Sequence, residues 1–355
     1  MDEEQEYPLP QSVIEQCTNN LDSRVEEIFK MNKELLETIK KLRESFKPLI
    51  KKYEGSGRRI DDAIAVDGAN SPIINFSGWS FSAVASIGYP MKEGLDIITE
   101  AKEFVVPYST TLQRYVQLFR TMLEYKLTMN APTDFVFLDG TFWIYQWSRR
   151  MFERKYEGFK DYPKFEDLYD TVFDELYPKI FTKKVICLPK RIESRKWAEE
   201  KIAKGVQTTD KVLLSYILDE NEHTIPKELA DYSKEEGRGL DPETLEEFQR
   251  KIVDIRFVYF KPKGANSVMR IEFHKSLAPK LEDILETVSY HFEPVTQQFF
   301  PILMADRLSK GINNMPMLIS DIVKSKLFTM ADDEDIRKLI RGAMIPIVLE
   351  ETISR

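Results

Sequence analysis

The sequence predicts an α/β protein: a mixed-sheet core with a long N-terminal helix and additional helical segments. Three observations carry this reading. Apolar, strand-like runs alternate with helical stripes over most of the chain. Two of those runs end in Asp-Gly, Ala63-Ile-Ala-Val-Asp67-Gly68-Ala69 and Phe135-Val-Phe-Leu-Asp139-Gly140-Thr141. Ahead of both lies a stretch, residues 12–53, with apolar residues at helical spacing.

In that first stretch Leu21, Val25, Ile28, Leu35, Ile39, Leu42, Phe46 and Leu49 recur at steps of mostly three and four. Such a seam packs equally well within a chain or between two chains. Glu54-Gly-Ser-Gly57 ends it. Residues 63–69 then read as a strand, as do Trp79–Gly88, with its alternation of bulky and small side chains, and Thr99–Val106. Ser109 caps a helix to about Met129, striped by Leu112, Val116, Phe119, Leu123 and Leu127, and Asn130-Ala-Pro132 stops it. A strand over 135–142 follows, then an aromatic, charged and partly helical stretch to 180. Thr182–Arg191 reads as a strand running into a basic turn, with helical segments after it through Leu218. The polar segment 220–247 reads as an exposed insertion. Strands at Ile255–Phe260 and Val268–Phe273, a helix at Leu281–Ser289 and a Met-, Ile- and Leu-rich C-terminal region complete the pattern. The expected division is a helical region over 1–57, a main domain over 58–310 and a helical region over 311–355.

Strand with Asp, hairpin strands, helix, strand with Asp is the order of a ribonuclease H-like core, where carboxylates from strand ends and a helix converge. A carboxylate at the tip of a buried strand is costly to desolvate unless something pairs with it. Two such tips suggest a shared hard cation, Mn²⁺ or Mg²⁺, which prefers oxygen ligands. Asp-Gly is equally a common turn dipeptide, so spacing alone leaves both readings open. Glu124, in the helix before the second Asp strand, is the candidate third carboxylate, and Glu103 is the runner-up. The densest basic stretch, Lys183, Lys184, Lys190, Arg191, Arg195 and Lys196, suits phosphate contact or a solvated face. Phe76, Trp79, Phe142, Trp143 and Trp147 suit base stacking or the core.

Composition narrows the classes. The net charge of −8 gives no global basic field, so any DNA contact must be local. Two cysteines without CxxC spacing argue against a disulfide framework or a zinc site and fit a reducing, cytoplasmic setting. The acidic start lacks a signal-peptide core, and no apolar run is long enough to span a bilayer. With three histidines, none beside a Ser or Cys motif, hydrolysis would rest on carboxylates and metal rather than a Ser-His-Asp triad. P-loop, GxGxxG and HExxH motifs are absent.

Several segments, in order, resemble the NurA family of nucleases that work with the HerA DNA translocase. They are Ala65-Val-Asp67-Gly68, Phe137-Leu-Asp139-Gly140-Thr141, Ile186-Cys-Leu-Pro-Lys190-Arg191, Phe257-Val-Tyr-Phe-Lys261, Met269-Arg270-Ile-Glu272 and Phe300-Pro301-Ile-Leu-Met-Ala-Asp306-Arg307. The resemblance implies a ribonuclease H-like nuclease core and Mn²⁺-dependent cleavage of single-stranded DNA. It further implies 5′-to-3′ resection of duplex ends, a homodimer, and a hexameric HerA-like ATPase as partner. Asp67, Asp139, Glu124 and Asp306 would hold the metal, and Lys190, Arg191 and Arg195 would contact DNA. Asp306 stands where the family places a His; it offers carboxylate oxygen to a hard cation but no neutral imidazole. His291 is the nearby imidazole, and it precedes the motif. The alternative is a catalytically weak adaptor or DNA clamp for a translocase.

Overall fold

Ala63, Ile64, Ala65 and Val66 are fully buried, because the strand they form is covered on both faces. Such strands read as unbroken apolar runs rather than as alternation. The computed structural model describes residues 11–331 apart from 20, 56, 77, 109–111, 143–164, 191, 193, 203–207 and 233–241, together with 334, 337 and 338.

Eleven strands form the main sheet among the described residues. In chain order they are β1 (Ile50–Lys52), β2 (Ala63–Asn70), β3 (Ile74–Phe76), β4 (Trp79–Pro90), β5 (Ile98–Pro107), β6 (Phe135–Leu138), β7 (Lys184–Cys187), β8 (Glu222–Thr224), β9 (Lys227–Glu228), β10 (Ile255–Lys261) and β11 (Met269–His274). At the centre β2 runs parallel to β6 and β6 parallel to β7, while β4 runs antiparallel to both β2 and β5. The order β5-β4-β2-β6-β7 with β4 alone reversed is the ribonuclease H-like arrangement. The sheet then extends through β11, β10, β8 and β1.

Two helical layers close the sheet. On one face α3 (Leu112–Asn130) packs on β2 and β4, and its side chains share a core with Ile64, Val66, Leu138 and Cys187. On the other face lie the helices Leu281–Tyr290 and Phe300–Ser309, sharing a core with Ala63, Ala65, Phe137 and Ile186. The two faces therefore alternate residue by residue along β2 and β6, as pleated strands require. Among the described residues no helix is long and apolar enough to cross a membrane.

Three sequence expectations are corrected. The stretch 12–53 is not one helix: α1 (Gln11–Thr18) and α2 (Leu21–Phe46) are separate, and a short 3₁₀ turn at Lys47–Leu49 leads into β1. Pro48 explains the stop, since it lacks the N–H that would continue the ladder. In α2, Ile39 and Phe46 are buried, whereas Leu21, Val25 and Ile28 are exposed. The segment 220–247 is not an exposed insertion in its first half. Here β8 pairs with β1 and β10 and β9 with β10, and His223, Thr224, Leu229 and Tyr232 are buried. Their polar groups are satisfied locally: Thr224 Oγ1 accepts from the Tyr259 N–H at 3.0 Å. Finally, the second Asp strand stops at Leu138, so Asp139 lies just beyond it.

Candidate metal centre

Asp67 and Asp139 are set side by side by strand register. Val66 pairs with Leu138, and the Asp139 N–H donates to Val66 O at 2.9 Å. Gly68 is an ordinary strand residue, not a turn. A Cβ there would lie 2.5 Å from Glu124 Oε1 and 2.8 Å from Arg120 Cγ. A missing side chain thus lets α3 come close enough for Glu124 to reach the strand. Gly140, by contrast, has φ +146° and open space around it, so it serves the backbone bend after β6.

By alternation Asp67 shares the face of Ala63 and Ala65, toward the helix Phe300–Ser309 that carries Asp306. Glu124 comes from α3 on the other face. The site is therefore assembled from both layers, around Asp67 within β2 and Asp139 just past the end of β6. Glu124 is 7% exposed and Asp67 5% exposed. That is unusual for carboxylates and needs compensation.

Lys190 supplies part of it. It follows β7 through Leu188, whose N–H donates to Leu138 O at 3.0 Å, and Pro189. Its Nζ lies 2.5 Å from Asp139 Oδ2, 3.4 Å from Asp67 Oδ2 and 3.5 Å from Asp306 Oδ1. The Gly68 N–H donates to Asp67 Oδ1 at 2.7 Å, and Asp139 and Asp306 crowd the same carboxyl. Lys310 holds Asp306 Oδ2 at 2.8 Å, and Arg120 Nε stands 3.3 Å from Glu124 Oε1.

The electrostatics follow from this crowding. Burial, then the Asp139 and Glu124 charges, push the Asp67 carboxyl up to about 9 against the pull of Lys190. Burial raises Glu124 to about 7, with Arg120 opposing and Asp139 adding to the rise. Asp306 is raised by burial, but Lys310 and Lys190 outweigh it and leave it below the ordinary carboxylate range. Burial disfavours the Lys190 ammonium, yet Asp139, Asp67 and Asp306 hold it up at about 12. Four carboxylates with little water and one ammonium at the focus of three of them are a donor set that fits a hard divalent cation. The lysine occupies the place where that positive charge would sit. Among the described residues, no three or more His, Cys, Asp or Glu side chains are so placed, as they stand, that they could hold a metal ion.

The other predicted residues divide. Glu103, on β5, is exposed beside Lys102, so it is not the third carboxylate of this set. His291 ends the helix Leu281–Tyr290, near Arg59, Asp61 and Phe299, and touches none of the four carboxylates. Arg195, at the start of the helix Lys196–Lys201, makes none of the contacts above. Arg191, Trp143 and Trp147 lie outside the described residues. Phe142 is buried and stacked on Phe181, a core role, while Trp79 is 40% exposed. Sequence reasoning missed Arg120. Its signal is the i,i+4 spacing to Glu124 on one helix face.

The fold and sequence place the chain among known proteins. By structure it is similar to the NurA nuclease from Sulfolobus solfataricus, with 14% identity, 88% of this chain and 98% of that one covered, and a TM-score of 0.56. It is similar to a NurA bound to dAMP and manganese at 11% identity, with 93% and 99% covered and a TM-score of 0.48. It is also similar to endonuclease V from Bacillus subtilis at 12% identity, with 83% and 94% covered and a TM-score of 0.32. At these identities the first likeness is one of fold. No curated protein matches the chain by sequence. Residues 61–314 match the NurA domain family, a span that holds β2 through β11 and both helices that supply Glu124 and Asp306, and the chain belongs to the NurA family.

Proposed function

We propose that this chain is a divalent-cation-dependent deoxyribonuclease. The observation that carries the reading is the meeting of Asp67, Asp139 and Asp306 on the single ammonium of Lys190, with Glu124 packed against Gly68 beside them. Membership of the NurA family supports it, as does the shared fold with a protein described as the NurA nuclease.

Asp67, Asp139, Glu124 and Asp306 would hold Mn²⁺, with Mg²⁺ the alternative hard ion. When bound, the cation supplies Lewis-acid polarisation of the phosphodiester and eases deprotonation of a water. The chain's own residues do the rest. Burial and the neighbouring carboxylates favour the protonated form of Asp67, which would release that proton on becoming a ligand. Glu124, held near 7 without a cation, would likewise give up its proton as the cation binds. Lys190 has a side chain about one-third exposed and a flexible stem, so it can swing from the carboxylates to a non-bridging phosphate oxygen and offset charge there. Arg191 and Arg195 would extend the phosphate contacts along the strand.

The finer reading is single-strand cleavage and 5′-to-3′ resection of DNA ends by a homodimer partnered with a HerA-type hexameric ATPase. The exposed Leu21, Val25 and Ile28 on α2 support a helix-mediated contact. The test is a Mn²⁺-versus-EDTA assay on end-labelled single-stranded and duplex DNA, with Asp67→Ala as control. The expected result is Mn²⁺-dependent cleavage lost in the variant. Cleavage that survives EDTA or Asp67→Ala overturns the proposal.

A further inference from the structure

Glu272 is a carboxylate with no solvent exposure on β11, two strands away from β6. Its backbone pairs with Cys187, and Cys187 pairs with Leu138, so Glu272, Cys187 and Leu138 lie in one row across the sheet. A buried ionised carboxylate must be both paired and hydrogen-bonded. Arg270 Nε provides the charge at 2.9 Å. Further contacts come from the segment that follows Asp139 and Gly140. Thr141 Oγ1 lies 2.8 Å from both Glu272 oxygens, and the Phe142 N–H donates to Oε2 at 2.8 Å.

This matters because Asp139 is the last residue the ladder holds. Its own N–H is fixed on Val66, and Gly140 then turns through φ +146°, where the backbone has most freedom. The next fixed points along the chain are Thr141 and Phe142. Asp139 is thus strung between two anchors, the strand on one side and Glu272 on the other.

We propose that Glu272, acting through Thr141, is a positioning residue that holds the Asp139 carboxylate in the orientation needed to bind the cation. The inference rests on the cation-dependent nuclease reading. Arg270 compensates the charge of Glu272, and Glu272 aims the loop. Partners that orient a metal-ligating group govern affinity even without touching the metal, typically by about 10–100-fold.

The test compares wild type, Thr141→Val, Thr141→Ser and the charge-balanced double variant Arg270→Met with Glu272→Met. Mn²⁺ affinity is read by electron paramagnetic resonance of the free ion, cleavage is measured as a function of Mn²⁺ concentration, and thermal unfolding monitors the fold. Thr141→Val removes one hydroxyl and leaves the ion pair, so it is expected to fold. Its Mn²⁺ dissociation constant is expected to rise at least tenfold, with the cleavage rate largely recovered at saturating Mn²⁺. The double variant is expected to weaken Mn²⁺ binding in the same way, and Thr141→Ser to restore it. Wild-type Mn²⁺ affinity in a folded Thr141→Val, or in the folded double variant, overturns the inference while leaving the nuclease reading intact. Wild-type protein that neither binds Mn²⁺ nor cleaves DNA overturns the nuclease reading, and this inference with it.

Discussion

Lys190 Nζ and Asp139 Oδ2 stand 2.5 Å apart, and the same nitrogen also contacts Asp67 and Asp306. The lysine therefore competes for the ligands that a divalent cation would use. Replacing it with methionine leaves three carboxylates without their shared ammonium. Stability without added cation is expected to fall by roughly 1–2 kcal/mol, a buried-pair penalty discounted for the partial exposure of the lysine. The rise in melting temperature on adding Mn²⁺ is expected to exceed that of wild type. DNA cleavage is expected to drop on the order of a hundredfold for loss of one group that offsets charge. Calorimetry with and without Mn²⁺, beside the cleavage assay, checks all three.

Gly68→Ala tests the approach of α3 to β2. The added methyl would meet Glu124 Oε1 at 2.5 Å and Arg120 Cγ at 2.8 Å, so Glu124 must move. Overpacking of this kind costs about 1–3 kcal/mol. Mn²⁺ affinity is expected to fall along with stability. Gly140→Ala, with open space around the new atom but an unfavourable φ, is expected to disturb the Asp139 loop without touching Glu124. Crystal structures of the two variants distinguish a displaced helix from a displaced loop.

The Asp67 carboxyl has a folded value of about 9 against an ordinary 3.8, so the folded protein binds a proton that the unfolded chain has lost at neutral pH. The sign follows. This contribution is present in full below about pH 4 and is lost as pH rises through 9. Protein stripped of divalent cations is therefore expected to melt at lower temperature at pH 9 than at pH 6. Mn²⁺ must displace the same proton, so its apparent affinity is expected to tighten with pH, approaching tenfold per unit for each proton released. Melting curves and Mn²⁺ titrations across pH 6–9 measure both trends. An apparent affinity independent of pH would contradict the protonated Asp67.

Cys187 is a buried free cysteine beneath the site, with its thiol pushed well above the usual range by burial and then by Glu272, Asp139 and Glu124. The thiolate is the reactive form, so native Cys187 is expected to resist alkylation. Peptide-resolved mass spectrometry with iodoacetamide is expected to show labelling only once the sheet opens in denaturant. Rapid labelling of native protein would be inconsistent with this packing.

Much of the architecture was legible because burial on both faces produces continuous apolar runs, as in Ala63–Val66 and Phe135–Leu138. Polar strands hid. Glu222-His-Thr224 reads as surface, yet it pairs on both sides and buries His223 and Thr224 behind local hydrogen bonds. A helical seam also concealed its own end, because Pro48 weighs less in a periodicity than eight apolar positions. At the candidate site, the end-of-strand position of Asp139 follows from sequence order, whereas Asp67 lies inside β2 because the strand runs on through Gly68 to Asn70. The inward turn of Glu124 does not follow from sequence order, since buried residues cover most of α3 and the stripe selects no single face. Glu272 sat inside a segment already singled out, but its partners Thr141 and Phe142 are more than a hundred residues away in sequence.

The four carboxylates come from β2, from the residue just after β6 and from helices on opposite faces of the sheet, and Asp306 is the last to be made. A ribosome-bound or half-unfolded chain that has docked only α3 carries three of them and lacks the layer that holds Asp306. On the proposed reading, cutting ability thus arrives only with the finished fold. On that reading an incomplete copy would leave the DNA around it uncut.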